Sequence, residues 1–108
     1  MKVKQAISEA GLMIPDHNVC AELLHIWLSR VEGEVFAVVR DDEREVVFSE
    51  GDGESVLSVP DPFSAIYPLY LQTMIYLYLG EYDRYNYLNS LYESARSEYA
   101  KYYLRTKK

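Results

Sequence analysis

The sequence predicts a mainly α-helical fold: a small helical bundle with a long C-terminal αα-hairpin and a short acidic loop or β-hairpin between its halves. Two observations carry this prediction. Apolar residues recur every three or four positions over most of the chain, which is the period of a helix. Gly80 lies between two long helical stretches, where a glycine ends one helix and permits a tight reversal into the next. The 108 residues have the length of a single helical domain covering 1–108.

The first half of the chain predicts two helices. Residues from Val3 to Ala10 form a short helix that Gly11 ends, and either Asp16 or Asn18 caps a longer one. One apolar stripe runs along that longer helix: Cys20, Leu24, Trp27, Val31, Val35 and Val38. Gly33 and the β-branched valines weaken its second part, so a kink or an end is expected near Gly33. The stripe also predicts that Trp27 packs onto the hairpin.

The segment 41–61 differs in composition, because it contains eight acidic residues and only one arginine. Residues 46–48 and 56–59 are apolar and flank a glycine-containing turn at 49–54, which is typical of a hairpin. An acidic loop fits the same residues, and for 44–59 both readings stay open. Glycines and like charges predict that 41–60 is the most mobile part of the fold.

The second half predicts the hairpin. Asp61-Pro62 starts its first helix, which Pro68 kinks unless only a short turn precedes it. The 17 residues from Phe63 to Leu79 carry no charge, but polar residues among them and the lack of basic flanks argue against a membrane span. The last helix has a seam spaced by three and four: Tyr85, Leu88, Tyr92, Ala95, Tyr99 and Tyr102. Its basic end, which includes Lys107 and Lys108, complements the helix dipole.

Residues able to carry chemistry are few. His17 and Cys20 share a helix face, but His25 is turned about 140° away from Cys20, so a metal site is not expected. The acids of 41–54 are interrupted by valines where a calcium loop needs oxygen ligands. No phosphate-binding glycine loop or nucleophile elbow occurs. We therefore expect no enzyme activity and no cofactor.

Charge and tyrosine content indicate which partners to expect. A net charge of −6 repels phosphate backbones and anionic lipids, so neither nucleic acid nor membrane is the expected partner. The lone Cys20 suits a reduced, intracellular protein, and the N-terminus lacks the apolar stretch of a signal peptide. Eleven tyrosines are more hydroxyls than one small core readily satisfies. Candidate residues for a subunit interface are Tyr70, Tyr78, Tyr85, Tyr92, Tyr99 and Tyr102.

Several short segments together carry a family resemblance. In the second half these are PFSAIY at 62–67, YLQ at 70–72, GEYDRYN at 80–86, LY at 91–92 and YAKYY at 99–103. In the first half they are IPD at 14–16, IWL at 26–28 and VEG at 31–33. With GEYDRYN as the most specific of them, these segments resemble the head-tail connector, or adaptor, proteins of tailed bacteriophages and prophages. Pro68 and the crowding of tyrosines around Gly80 depart from the family pattern.

The resemblance implies a structural virion protein at the head-tail interface, present in the bacterial cytoplasm during assembly. Such subunits form a homo-oligomeric ring, commonly of twelve copies, between the portal and a head-closure (stopper) protein. DNA passes through the channel of the ring without specific binding. Two alternatives remain from the residues themselves: a small acidic regulatory or inhibitory protein of the DNA-mimic type, or a plain helical dimer.

Overall fold

A computed structural model describes residues 1–106 and shows a mainly α-helical bundle. The helices are α1 (Val3–Met13), α2 (Ala21–Glu34), α3 (Ile66–Tyr78) and α4 (Tyr82–Thr106). A π-helical segment, Val35–Val39, extends α2, and short 3-10 turns lie at Glu50–Asp52 and Phe63–Ala65. The fold class predicted from the sequence is confirmed. Lys107 and Lys108, part of the predicted basic end, lie outside the described residues.

The α3–α4 hairpin is confirmed, and Gly80 makes its turn. Gly80 has a φ of 77°, which glycine adopts without steric cost. Its N–H donates to the carbonyl of Leu77 at 3.1 Å, and the N–H of Glu81 donates to the carbonyl of Tyr76 at 2.9 Å. This pair of bonds is a Schellman motif, which satisfies the last carbonyls of α3 while the chain reverses.

The core forms where α1 and α2 pack on α3. From α1 it takes small residues on one face, so that helix can approach α3 closely. Trp27 is buried in this core and meets Tyr78 of α3 edge-on at 6.3 Å between ring centroids, so the predicted packing of Trp27 onto the hairpin is confirmed. The fully buried side chains include Val3, Leu28, Val31, Ile66, Tyr67, Leu71 and Ile75.

Helix α1 continues through Gly11 to Met13, so the predicted stop at Gly11 is wrong. A glycine inside a helix costs about 1 kcal/mol relative to alanine, which packing of α1 on α3 can offset. Pro15 determines the actual end, because a residue before proline is displaced from the helical region. Ile14 accordingly has φ −133° and ψ 74°.

Helix α2 begins later than predicted, and its regular α-helical part ends at Glu34, so the kink or end expected near Gly33 is confirmed. Cys20 is its N-cap residue, so neither Asp16 nor Asn18 caps it. The helix passes Gly33 and widens into the π-helical segment, where the N–H of Arg40 bonds the carbonyl of Val35, five residues back. The extra residue in this turn rotates the apolar stripe. Val39 is therefore buried and Val38 is exposed, the reverse of the predicted pattern.

The acidic segment is a loop, because no strand occurs within residues 1–106. Its second half pairs with the start of α1 and not with residues 46–48. The N–H of Val3 donates to Ser55 at 2.9 Å, and the N–H of Leu57 donates to Met1 at 2.8 Å. Leu57 and Val59 are buried beneath this contact, which fixes the loop at its C-terminal end.

Pro68 lies in the first turn of α3, preceded only by the 3-10 turn Phe63–Ala65. The first N–H groups of a helix have no intrahelical partner, so the missing N–H of Pro68 removes few backbone hydrogen bonds. Only a short turn precedes Pro68, and in that case no kink was expected. No helix in the described chain is both long and apolar enough to cross a membrane.

Candidate subunit interface

The six candidate tyrosines divide into two groups. Tyr70, Tyr92 and Tyr99 are buried within the protomer, facing the space between α3 and α4 or the end of α2. Tyr78 is 60% exposed and Tyr102 is exposed as well, while Tyr85 is half-buried. The folded chain thus brings three of the six together as core residues. An interface made by the predicted set rests on Tyr78, Tyr85 and Tyr102.

The buried tyrosines find partners inside the chain. The Tyr99 hydroxyl accepts a hydrogen bond from the Arg40 guanidinium at 2.8 Å, and the Tyr92 hydroxyl donates to Glu34 at 3.3 Å. The rings of Tyr70 and Tyr92 meet edge-on at 5.0 Å. Burial raises the pKa of both Tyr70 and Tyr92. The core of one protomer therefore contains more tyrosines than we expected from the number of hydroxyls that a small core readily satisfies.

A buried carboxylate organises the centre of the molecule. Glu32 on α2 is almost fully buried and accepts bonds of 2.7 Å from the Ser58 N–H, the Ser58 hydroxyl and the Tyr67 hydroxyl. Tyr67 in turn accepts a 2.9 Å bond from the N–H of Val59. This group, which we call the Glu32 network, joins α2, the acidic loop and α3. Sequence reasoning missed it, because Glu32 falls beside the apolar stripe of α2 and gives no local signal of burial.

An apolar groove opens on one side of the bundle, between α1, α3 and α4. Leu12 is 78% exposed at its edge, beside the exposed side chains of Met13 and Leu91. Glu9 also lines the groove, and its Oε2 atom is buried without a hydrogen-bond partner among residues 1–106. The remaining lining residues are Ala65, Pro68, Leu69, Gln72 and Leu88. Large apolar side chains held open to solvent in one place are typical of a contact surface.

Sequence reasoning missed this groove for an identifiable reason. A helix that ended at Gly11 would leave Leu12 and Met13 in a loop with no defined direction. Because α1 continues to Met13, both side chains project from its last turn beside α3 and α4. The signal available in the sequence was the apolar pair directly before Pro15.

A second exposed apolar surface surrounds the hairpin turn. Leu77, Tyr78, Leu79 and Tyr82 are exposed there, and Tyr87 is exposed on the next turn of α4. The Arg84 guanidinium lies over the ring of Tyr76, 5.4 Å from its centroid. Of the crowded tyrosines that depart from the connector pattern, Tyr78 and Tyr87 are exposed near the turn, whereas Tyr76 and Tyr85 are half-buried.

The histidines and the cysteine make local contacts. His17 Nδ1 accepts a 2.8 Å bond from the N–H of Val19, and His25 Nδ1 lies 2.6 Å from the carbonyl oxygen of Ala21. Cys20 is exposed at the start of α2. Within the described part of the chain, no three His, Cys, Asp or Glu side chains converge to hold a metal ion.

Among the eight acids of the segment 41–61, two form ion pairs and a third accepts a backbone hydrogen bond. Asp42 pairs with Arg44, and Asp52 accepts a 2.8 Å bond from the N–H of Ser49. Glu54 pairs with both Lys2 and Lys4, whose hydrogen bonds and charges lower the pKa of Glu54 to about 2. The segment therefore presents fewer free charges than its composition indicates.

Comparisons with known proteins found no matching family model, no similar curated protein and no similar solved structure.

Proposed function

We propose that this chain is a structural subunit that assembles with other protein subunits, as a head-tail connector of a tailed phage or prophage. The observation that carries the proposal is the apolar groove, in which Leu12, Met13 and Leu91 remain exposed although the protomer has a complete core of its own. Exposing these apolar side chains to water does not stabilise a single copy of the chain. Their burial by another subunit would supply the driving force for assembly.

The positions of the resembling segments support the connector assignment. GEYDRYN at 80–86 forms the hairpin turn and the start of α4, and PFSAIY at 62–67 leads into α3. The resemblance therefore falls on the elements that define the bundle. It also supports the partners we propose: a portal on one side of a ring and a head-closure protein on the other.

The charge distribution is compatible with a channel through which DNA moves. A ring of subunits with a net charge of −6 would hold few cations against the phosphate backbone. DNA could then pass with little electrostatic retention. The same charge would make neighbouring copies repel one another at low salt, so assembly should strengthen as salt screens that repulsion.

The test is reconstitution with the portal protein encoded in the same phage or prophage genome. We expect the purified chain to bind assembled portal rings and to appear as an added ring by electron microscopy. Leu12→Asp should weaken this assembly, whereas Val47→Asp, a matched change at an exposed apolar residue of the acidic loop, should not. A chain that binds neither portal nor head-closure protein under any salt condition would contradict the proposal.

A further inference from the structure

We infer that the apolar groove receives the C-terminal end of α4 from a second copy of the chain, so that copies associate head to tail. The inference rests on the proposed function in taking a homo-oligomer as the assembly. It adds which two surfaces meet. The groove supplies Leu12, Met13 and Leu91, and the tip of α4 supplies Leu104 with two cations beside it.

The tip of α4 presents an exposed apolar side chain with basic side chains beside it. Leu104 is 66% exposed, and Lys101, three residues before it, is exposed beside it. Arg105, four residues after Lys101, is exposed on the face of Lys101. Glu98 lies on this face too, with its carboxylate 3.8 Å from the Lys101 ammonium. The last two turns therefore present one leucine beside two basic side chains and one acidic side chain.

Charge complementarity favours this occupant. Glu9 lies in the groove with one carboxylate oxygen buried and lacking a hydrogen-bond partner in the described part of the chain. A cation brought to the groove by another molecule would stabilise that carboxylate, most effectively where water is excluded. Two grooves facing each other across a two-fold axis would instead bring two copies of Glu9 together. A groove-to-groove dimer is therefore disfavoured.

The geometry of α4 requires the tip to come from another copy. Leu91, in the groove, and Leu104, at the tip, lie on the same continuous helix, Tyr82–Thr106. Thirteen residues separate them, which is about 20 Å at a helical rise of about 1.5 Å per residue. The tip cannot fold back into its own groove without breaking α4. Because the two surfaces are different, each copy in a pair retains a free groove or a free tip, so further copies add, as a ring where the rotation between neighbours closes and as an open filament where it does not.

Complementary variants test the inference without any portal. Leu12→Asp blocks the groove, and Leu104→Asp blocks the tip; both positions are exposed, so both variants should keep the wild-type helical content and melting temperature. By sedimentation and native mass spectrometry, we expect wild type to form species larger than dimers as concentration and salt rise. Each variant alone should associate at least tenfold more weakly. An equimolar mixture should form a one-to-one dimer and nothing larger, because it retains one intact contact.

A charge change provides a second measurement. Glu9→Lys should weaken wild-type association severalfold by placing like charges at the contact. Glu22→Lys, the same change at an exposed position of α2, should at most strengthen association by reducing the net negative charge.

Three results would overturn the inference: wild type that stays monomeric at every concentration and salt, a Leu104→Asp variant that associates like wild type, or a mixture that stays monomeric. Portal binding is scored separately. If the one-to-one dimer forms but no portal binds, the connector proposal fails and the head-to-tail contact stands. If the portal binds but the mixture does not dimerise, only the contact fails.

Discussion

The Tyr67 hydroxyl donates a 2.7 Å hydrogen bond to the buried carboxylate of Glu32 and accepts a 2.9 Å bond from the N–H of Val59. One side chain of α3 thereby fixes both α2 and the end of the acidic loop. Because Tyr67 is fully buried, water cannot replace either bond if the hydroxyl is removed. Replacing Tyr67 therefore tests directly how much these two hydrogen bonds stabilise the fold.

Tyr67→Phe should lower the free energy of unfolding by about 1–3 kcal/mol, because it leaves the N–H of Val59 and one bond of Glu32 unmatched while keeping the ring. Urea unfolding followed by circular dichroism measures the loss. Tyr87→Phe, the same change at an exposed residue, should shift stability by no more than about 0.5 kcal/mol. Equal effects of the two substitutions would contradict the role of the Glu32 network.

Stability should fall as pH rises above about 10, the ordinary pKa of tyrosine. Burial raises the pKa of Tyr67 and Tyr92 in the folded state, so above that pH the unfolded chain releases protons that the folded chain retains. The unfolded state binds fewer protons there, and unfolding becomes easier with each increment of pH. Urea midpoints from pH 8 to 11 would show the decline. Tyr92→Phe should make the slope shallower, whereas Tyr87→Phe should leave it closer to that of wild type.

Hydrogen exchange should divide the acidic segment into two parts. The sequence predicted that 41–60 is the most mobile region, and no helix or strand is formed by residues 41–49. The amides of Leu57, Ser58 and Val59 instead bond to Met1, Glu32 and Tyr67. We expect rapid exchange at 43–47 and slower exchange at 57–59. Slow exchange throughout 43–54 would contradict this division.

An element could be predicted from the sequence where the interactions that determine it join residues close together in the chain. Gly80 and the residues around it determine their own turn, so the hairpin was predicted correctly. The end of α1 was not, because Pro15 and the packing of α1 on α3 together outweighed the local preference of Gly11. The π-helical turn that buries Val39 in place of Val38 has no signal in apolar spacing.

The candidate interface shows the same limit. A spacing of three and four residues marks one face of α4, but it cannot tell a face that meets α3 from a face that meets another subunit. Tyr92 and Tyr99 pack inside the protomer, and the exposed groove consists largely of leucine, methionine and proline. The contacts that decide this are between residues distant in sequence, and only the folded chain contains them.

Trp27→Ala should lower the free energy of unfolding by about 3–5 kcal/mol, the usual cost of removing a large buried aromatic side chain. Trp27 of α2 is buried in the core of the protein, and its ring meets that of Tyr78 edge-on. Removing the indole ring therefore leaves a cavity beside the hairpin. A domain of 108 residues has little stability to spare, and the variant should melt well below wild type or precipitate. Ile26→Ala is the matched control, because the neighbouring side chain on the same helix is exposed; it should cost about 1 kcal/mol or less. Thermal melts followed by circular dichroism compare the two. If Trp27→Ala melts within a few degrees of the Ile26→Ala variant, the tryptophan contributes little to the core, and its position beside Tyr78 would belong to the exposed surface at the hairpin turn.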